Sequence, residues 1–209
     1  MTTTRIRNVR LAGDEIPGPV SIQNRNGRID SVQPEEHDAA AIADEVIDGG
    51  GKLIIPGMID VHIHGADGFD MMDGTFESVE AVSRACARTG CTAFLATSVS
   101  STIEDLLRMI DSVAQAQGKV SGAKIAGMHI EGPYLNVKRK GMQNERFLRH
   151  PDLAEMRTIL QRSGPLIRMV TLAPELPGGM EMVEFLKERG IVVAIAHSDA
   201  TYEEAKLAF

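Results

Sequence analysis

Apolar and polar positions change their rhythm once along this chain of 209 residues. Residues 4–11 (TRIRNVRL) alternate crudely, and residues 18–33 (GPVSIQNRNGRIDSVQ) hold two short strand-like runs around Asn26-Gly27. An Asn-Gly pair between such runs predicts a hairpin, because both residues tolerate positive φ. A polar, Ala-rich stretch follows from Pro34 to Ala43, and Asp48-Gly49-Gly50-Gly51 reads as a turn. Residues 1–50 are therefore expected to form a small β module. From Lys52 onward, nearly continuous Val, Ile, Leu and Ala runs at 52–63, 92–97, 124–130, 167–172 and 191–196 predict strands buried on both faces of a parallel sheet. Helical periodicity fills the intervals at 75–89, 102–117, 151–163 and 178–189. Phe76, Val79, Val82 and Cys86 share one stripe of the first helix. Ser101-x-x-Glu104 predicts a capping box for the second, and Gly90 and Gly190 suit the positions just past helix ends.

Such βα alternation fits either a Rossmann-like sheet or a (β/α)8 barrel. No GxGxxG follows any strand, which weighs against dinucleotide binding. A full barrel takes roughly 250 residues, whereas residues 51–209 supply only five βα units and stop inside a helical pattern. The expectation is an α/β protein, with the N-terminal part of a barrel truncated after its fifth strand.

Composition narrows the function classes. With 43% apolar and 24% charged residues the chain reads as an ordinary globular protein. A net charge of −7 offers no basic field for nucleic acid or an anionic membrane, and 4% aromatics with no Trp leave few stacking platforms. No apolar run approaches the roughly 18 residues of a membrane span. The opening Met1-Thr2-Thr3-Thr4-Arg5 lacks the apolar core of a signal peptide, so a cytoplasmic location is expected. Cys86 and Cys91, spaced C-x4-C, read as reduced packing residues rather than a disulfide or a metal site.

Candidate chemistry gathers where strands meet loops, which is where barrel active sites lie. In PGMIDVHIHG (56–65), His62 and His64 stand at i and i+2 on one face of a strand, with Asp60 on the same face by alternation. Two neutral imidazoles so placed can grip one divalent ion; the plain alternative is two solvated histidines. In HIEGPYLN (129–136), Glu131 ends a strand before a Gly-Pro break, and reads as a metal ligand, an acid/base or a rim residue paired with Lys. His129 shares its face, and packing suits it better than ligation. His197, in AHSD (196–199), repeats the pattern at the fifth strand. Histidine with carboxylate suits Zn, Fe or Mn rather than Ca or Mg. Lys138-Arg139-Lys140 beside Gly141 could neutralise an anionic substrate such as a phosphate, or form a solvated loop. Glu175, after the fourth strand, and Met180 and Met182 read as structural.

PGMIDVHIHG, HIEGPYLNVKRKG, TLAPE and AHSDATYEEA, in that order, resemble the N-acetylglucosamine-6-phosphate deacetylases of the amidohydrolase superfamily. HxH after PG-x-x-D marks only the superfamily, while HxEGPYLN followed by KxKG is far more specific. The resemblance implies a metal-dependent (β/α)8 barrel with a small β-sandwich, completed in the family by strands from the C-terminal end. It implies that Glu131 and His197 hold the principal metal, and that His62 and His64 match a pair binding a second ion in some members. One or two divalent ions, Zn or Fe, are thus expected. Met142 and Gln143 fall where the family contacts the sugar. Many members carry His at the second position, so Gln143 is a departure. The implied reaction is hydrolysis of N-acetylglucosamine 6-phosphate to glucosamine 6-phosphate and acetate, by a homodimer. The family's acid/base Asp and a further His ligand would lie beyond residue 209. Two rival readings stand beside this one. Dihydroorotase- or hydantoinase-like enzymes typically use a carboxylated Lys where this chain offers Glu131. A non-catalytic sugar-phosphate-binding fragment is the other.

Overall fold

The computed structural model describes residues 2–13, 16, 18–37 and 43–209. They fall into two units, Met1–Pro56 and Gly57–Phe209. The first is a single four-stranded sheet of β1 (Thr3–Leu11), β2 (Val20–Arg25), β3 (Arg28–Pro34) and β4 (Glu45–Ile54), in the order β3-β2-β1-β4. The hairpin forms where Asn-Gly predicted it, with Asn26 at φ 52° and Gly27 at φ 79°. Val9, Val20 and Ile22 make its small core.

The β module expected at the N-terminus is present, as one sheet among the described residues. One expectation for it needs correction: Asp48-Gly49-Gly50-Gly51 does not end it. Those residues lie inside β4, at a bulge where its register against β1 shifts between Arg7 and Val9. Gly50 and Gly51 take positive φ, and a Cβ on Gly49 would lie 2.0 Å from Val9 Cγ1. A glycine run marks turn and bulge alike, because both use the left-handed region. The sheet consequently extends to Ile54, and the next strand opens at Met58 rather than Lys52. Residues 38–42 of the polar, Ala-rich stretch lie outside the described residues.

The second unit is a five-stranded parallel half-barrel. Its elements are β5 (Met58–Ile63), the two-residue ladder β6 (Gly65–Ala66) and β7 (Phe69–Asp70), α1 (Phe76–Arg88), β8 (Cys91–Thr97), α2 (Ile103–Ala116), β9 (Lys124–Glu131), α3 (Leu153–Ser163), β10 (Ile167–Leu172), α4 (Gly179–Lys187), β11 (Val192–Ile195) and α5 (Tyr202–Ala208). The sheet order β11-β10-β9-β8-β5 follows the chain, so each βα unit adds one strand beside the last. Val79, Val82, Met109, Ile110 and Ile159 on the helices pack with Phe94, Ile130 and Val170 on the strands. One side of the sheet is thereby sealed, and functional side chains are left to the other side and the strand ends.

Local signals held with small shifts. α2 is capped by Thr102, whose hydroxyl accepts from the Asp105 amide, so the cap sits one residue later than Ser101-x-x-Glu104 suggested. Both cysteines are free thiols, and burial pushes Cys86 up to about 11. Met182 is buried and Met180 packs against the core, as their structural reading required. Among the described residues no helix is long and apolar enough to cross a membrane.

Ile110 is fully buried between α2 and the sheet. Ile110→Ala should lower the unfolding free energy by about 2–5 kcal/mol, the usual range for emptying a buried aliphatic site. Urea denaturation followed by circular dichroism measures it.

Candidate metal centre

The centre is built around a carboxylate that the fold buries. Glu131 is the last residue of β9, the middle strand of the five, and its side chain is only 5% exposed. Its amide donates to Ser98 Oγ beyond the end of β8. Its two oxygens then face opposite sides. Oε2 lies 3.1 Å from His64 Nε2 and 3.7 Å from His62 Nε2, both carried by or just after β5 at one edge of the sheet. Oε1 lies 3.0 Å from His197 Nε2, two residues past β11 at the other edge. The Nε2 atoms of His62 and His64 are themselves 3.1 Å apart. The ligating atoms of His62, His64 and Glu131 all fall within 4.8 Å of one another.

Two of the rings are turned by backbone carbonyls. His64 Nδ1 donates to Thr97 O at 3.3 Å, and His197 Nδ1 donates to Arg139 O at 2.9 Å. A carbonyl can only accept, so each of these rings carries its proton on Nδ1 and turns the Nε2 lone pair toward Glu131. Such carbonyl partners are the common means of orienting a metal-binding imidazole. Acceptor atoms then face acceptor atoms across about 3 Å. Only a cation between them, a proton or a metal ion, relieves the repulsion. The titration behaviour carries the same tension. The hydrogen bond to Glu131 raises His64 above the ordinary 6.5, although burial opposes it. Burial pushes Glu131 upward, but the hydrogen bond from His64 and the charges of His64, His62 and His197 outweigh it and hold the carboxyl below the ordinary 4.5.

Neighbouring candidates fall outside this cluster for visible reasons. His129 is buried and doubly engaged: Nδ1 donates to Val61 O at 3.1 Å and Nε2 accepts from Thr171 Oγ1 at 2.7 Å. Burial lowers its pKa, so it stays neutral and supports the cluster through an edge contact with the His62 ring, 5.1 Å between centroids. Asp60 does not face the cluster with the histidines. The register of β5 against β8 slips between Asp60 and Ile63, breaking the strict alternation, and Asp60 Oδ1 accepts the His62 amide at 3.0 Å. Lys138 and Arg139 are not free cations either, since both pair with Asp199, at 3.1 and 2.8 Å. The Lys140 ammonium donates to the Gln143 carbonyl. Gln143 is buried, its Oε1 accepting the Ser100 amide at 2.9 Å, whereas Met142 on the same loop is 80% exposed.

In sequence Glu175 reads as structural, and nothing there announces its reach. Its carboxylate accepts from Asn136 Nδ2 (2.9 Å), Ser198 Oγ (2.7 Å) and the Asp199 amide (2.7 Å), tying together the loops after β9, β10 and β11. The carbonyls of Thr97 and Arg139 were also missed. No side-chain pattern announces them, because any residue supplies a carbonyl.

Comparison with known proteins came to the same region. The profile of the amidohydrolase family matches residues 53–209. The N-acetylglucosamine-6-phosphate deacetylase of Vibrio furnissii is 36% identical over 186 residues, covering 88% of this chain and 46% of that protein. A crystal structure of the Pasteurella multocida N-acetylglucosamine-6-phosphate deacetylase superposes with a TM-score of 0.88 at 27% identity, over 99% of this chain and 54% of that one. A mutant of the Mycobacterium smegmatis N-acetyl-D-glucosamine-6-phosphate deacetylase, solved in complex with N-acetyl-D-glucosamine-6-phosphate, superposes with a TM-score of 0.86 at 27% identity, over 100% and 53%. The chain thus spans about half the length of the relatives it matches.

The hydrogen bonds to Glu175 outweigh its burial and hold its carboxyl below the ordinary 4.5. A group depressed in the folded state stabilises above its unfolded value, and that contribution is lost as pH falls through the folded value. The lead in thermal midpoint of the natural chain over Glu175→Gln should therefore be full above about pH 5 and shrink on acidification. A lead independent of pH between 3 and 7 would contradict this.

Proposed function

Because this chain belongs to the amidohydrolase family, where it groups with the N-acetylglucosamine-6-phosphate deacetylases, we propose that it forms the metal-binding part of an enzyme hydrolysing the acetamide of N-acetylglucosamine 6-phosphate. The observation that carries the reading is the convergence of imidazole lone pairs on the buried Glu131 carboxylate. That donor set fits a divalent ion of the Zn or Fe kind. His62, His64, Glu131 and His197 would hold it. When bound, such an ion polarises an amide carbonyl and lowers the pKa of water, which makes a nucleophile available near neutral pH.

The remaining work falls to the chain's own groups. Thr97 and Arg139 carbonyls keep His64 and His197 in the tautomer that leaves Nε2 free. Neutral His129, locked between Val61 O and Thr171, walls the cluster without adding charge. The loop of residues 137–143 overhangs the site: a Cβ on Gly141 would lie 3.3 Å from His197 Cε1. On this loop Met142 is free to meet a sugar, and Gln143 anchors the loop to the end of β8 through Ser100. The proton-transferring Asp and a further His ligand, by the family resemblance, are not among residues 1–209.

Two measurements test the reading. Isothermal titration of the metal-stripped chain with Zn2+ should detect binding that weakens at least ~10-fold in His64→Ala and in Glu131→Ala; equal binding by the variants would remove the site. In the whole protein, acetate release from N-acetylglucosamine 6-phosphate should cease with a chelator and fall by about 100-fold or more in Glu131→Gln. Preferential turnover of a cyclic ureide would overturn the substrate.

A further inference from the structure

We infer that Glu175 is a positioning residue for His197, acting by clamping the turn that carries it. The inference rests on the proposed metal site, yet its evidence is independent of any ion. His197 sits at φ 50°, a left-handed conformation. A residue with a Cβ persists there only when its surroundings fix it. The next two residues are where the fixing occurs. Glu175 accepts from the Ser198 hydroxyl and from the Asp199 amide, each at 2.7 Å. The same carboxylate accepts from Asn136 Nδ2 at 2.9 Å, and the Asn136 amide donates to the His197 carbonyl at 2.9 Å. His197 is thus gripped from its own carbonyl through Asn136 and from its following residues through one shared anion.

The clamp extends to the ring. Asn136 opens the segment whose Arg139 carbonyl accepts the His197 Nδ1 proton. The Lys138 and Arg139 side chains pair with Asp199, whose amide Glu175 holds. Backbone conformation, ring tautomer and ring direction of His197 therefore share one anchor on the β10–α4 loop. That anchor touches no atom of the Glu131 cluster. It sets where the Nε2 lone pair points without being a ligand itself.

The test is a double-mutant cycle read by Co2+ affinity and the Co2+ absorption spectrum, on the full 209-residue chain. Glu175→Ala and His197→Ala should each weaken Co2+ binding by about 10–100-fold. Glu175→Ala placed in the His197→Ala background should add less than about 3-fold, because a residue acting through another loses its effect when that other is gone. Equal losses in both backgrounds, or unchanged affinity in Glu175→Ala, would overturn the inference. Ser198→Ala, which removes a single arm, should give a smaller loss of the same non-additive kind and serves if Glu175→Ala does not fold. Side-chain nitrogen spectra of the metal-free chain separate this inference from the metal reading. The His197 Nδ1 proton, sheltered by the Arg139 carbonyl, should exchange at least ~10-fold faster in Glu175→Ala. Failure of Co2+ to bind the natural chain would overturn the metal reading, and the spectra would then decide the clamp: faster exchange supports it, unchanged exchange refutes it.

Discussion

A carboxylate buried at the centre of a sheet must be answered by positive charge or by hydrogen-bond donors, and the imidazoles that can hold such a charge, as a proton or a metal ion, reach Glu131 from both edges at once. β5 and β11 are four strand spacings apart, which on a flat sheet would separate them by ~19 Å. Their histidines meet on one side chain because the sheet curls as a barrel wall does. Curvature, burial and chemistry are thus one constraint. The helices seal one side of the sheet, and the other carries the only cluster of metal-competent side chains among the described residues.

Much of this was legible in the chain because parallel βα units advertise themselves twice, through continuous apolar runs and through the punctuation between them. The five barrel strands and four intervening helices lie within a few residues of where periodicity put them, apart from the late start of β5. His62, His64, Glu131 and His197 were visible as metal-type residues at strand ends, and the structure brings the three histidines to the Glu131 carboxylate. What failed was whatever depended on an unbroken strand register. Alternation placed Asp60 beside the histidines, and a register slip in β5 removed it. A run of three glycines looked like a boundary and proved to be a bulge inside β4.

Charge was legible only as an inventory. Lys138-Arg139-Lys140 reads as an anion site until Asp199, some 60 residues later, neutralises two of the three. Glu175 is the mirror case: an unremarkable acid in sequence, it accepts three hydrogen bonds from segments that are far apart in the chain. Local pattern reveals which groups a loop carries. Pairing between loops, set by tertiary neighbours, decides which remain available.

The sheet order has a bearing on how the molecule assembles. Each strand of the half-barrel lies beside its predecessor in the chain, so every strand pairing spans only one βα unit. The exception is Glu131, whose partners lie far off on both sides in sequence, His64 before it and His197 66 residues after it. Until β11 docks, half of its carboxylate has no partner. Assembly is therefore cooperative across the whole half-barrel, with its last strand completing the surroundings of a charge that its middle strand has already buried.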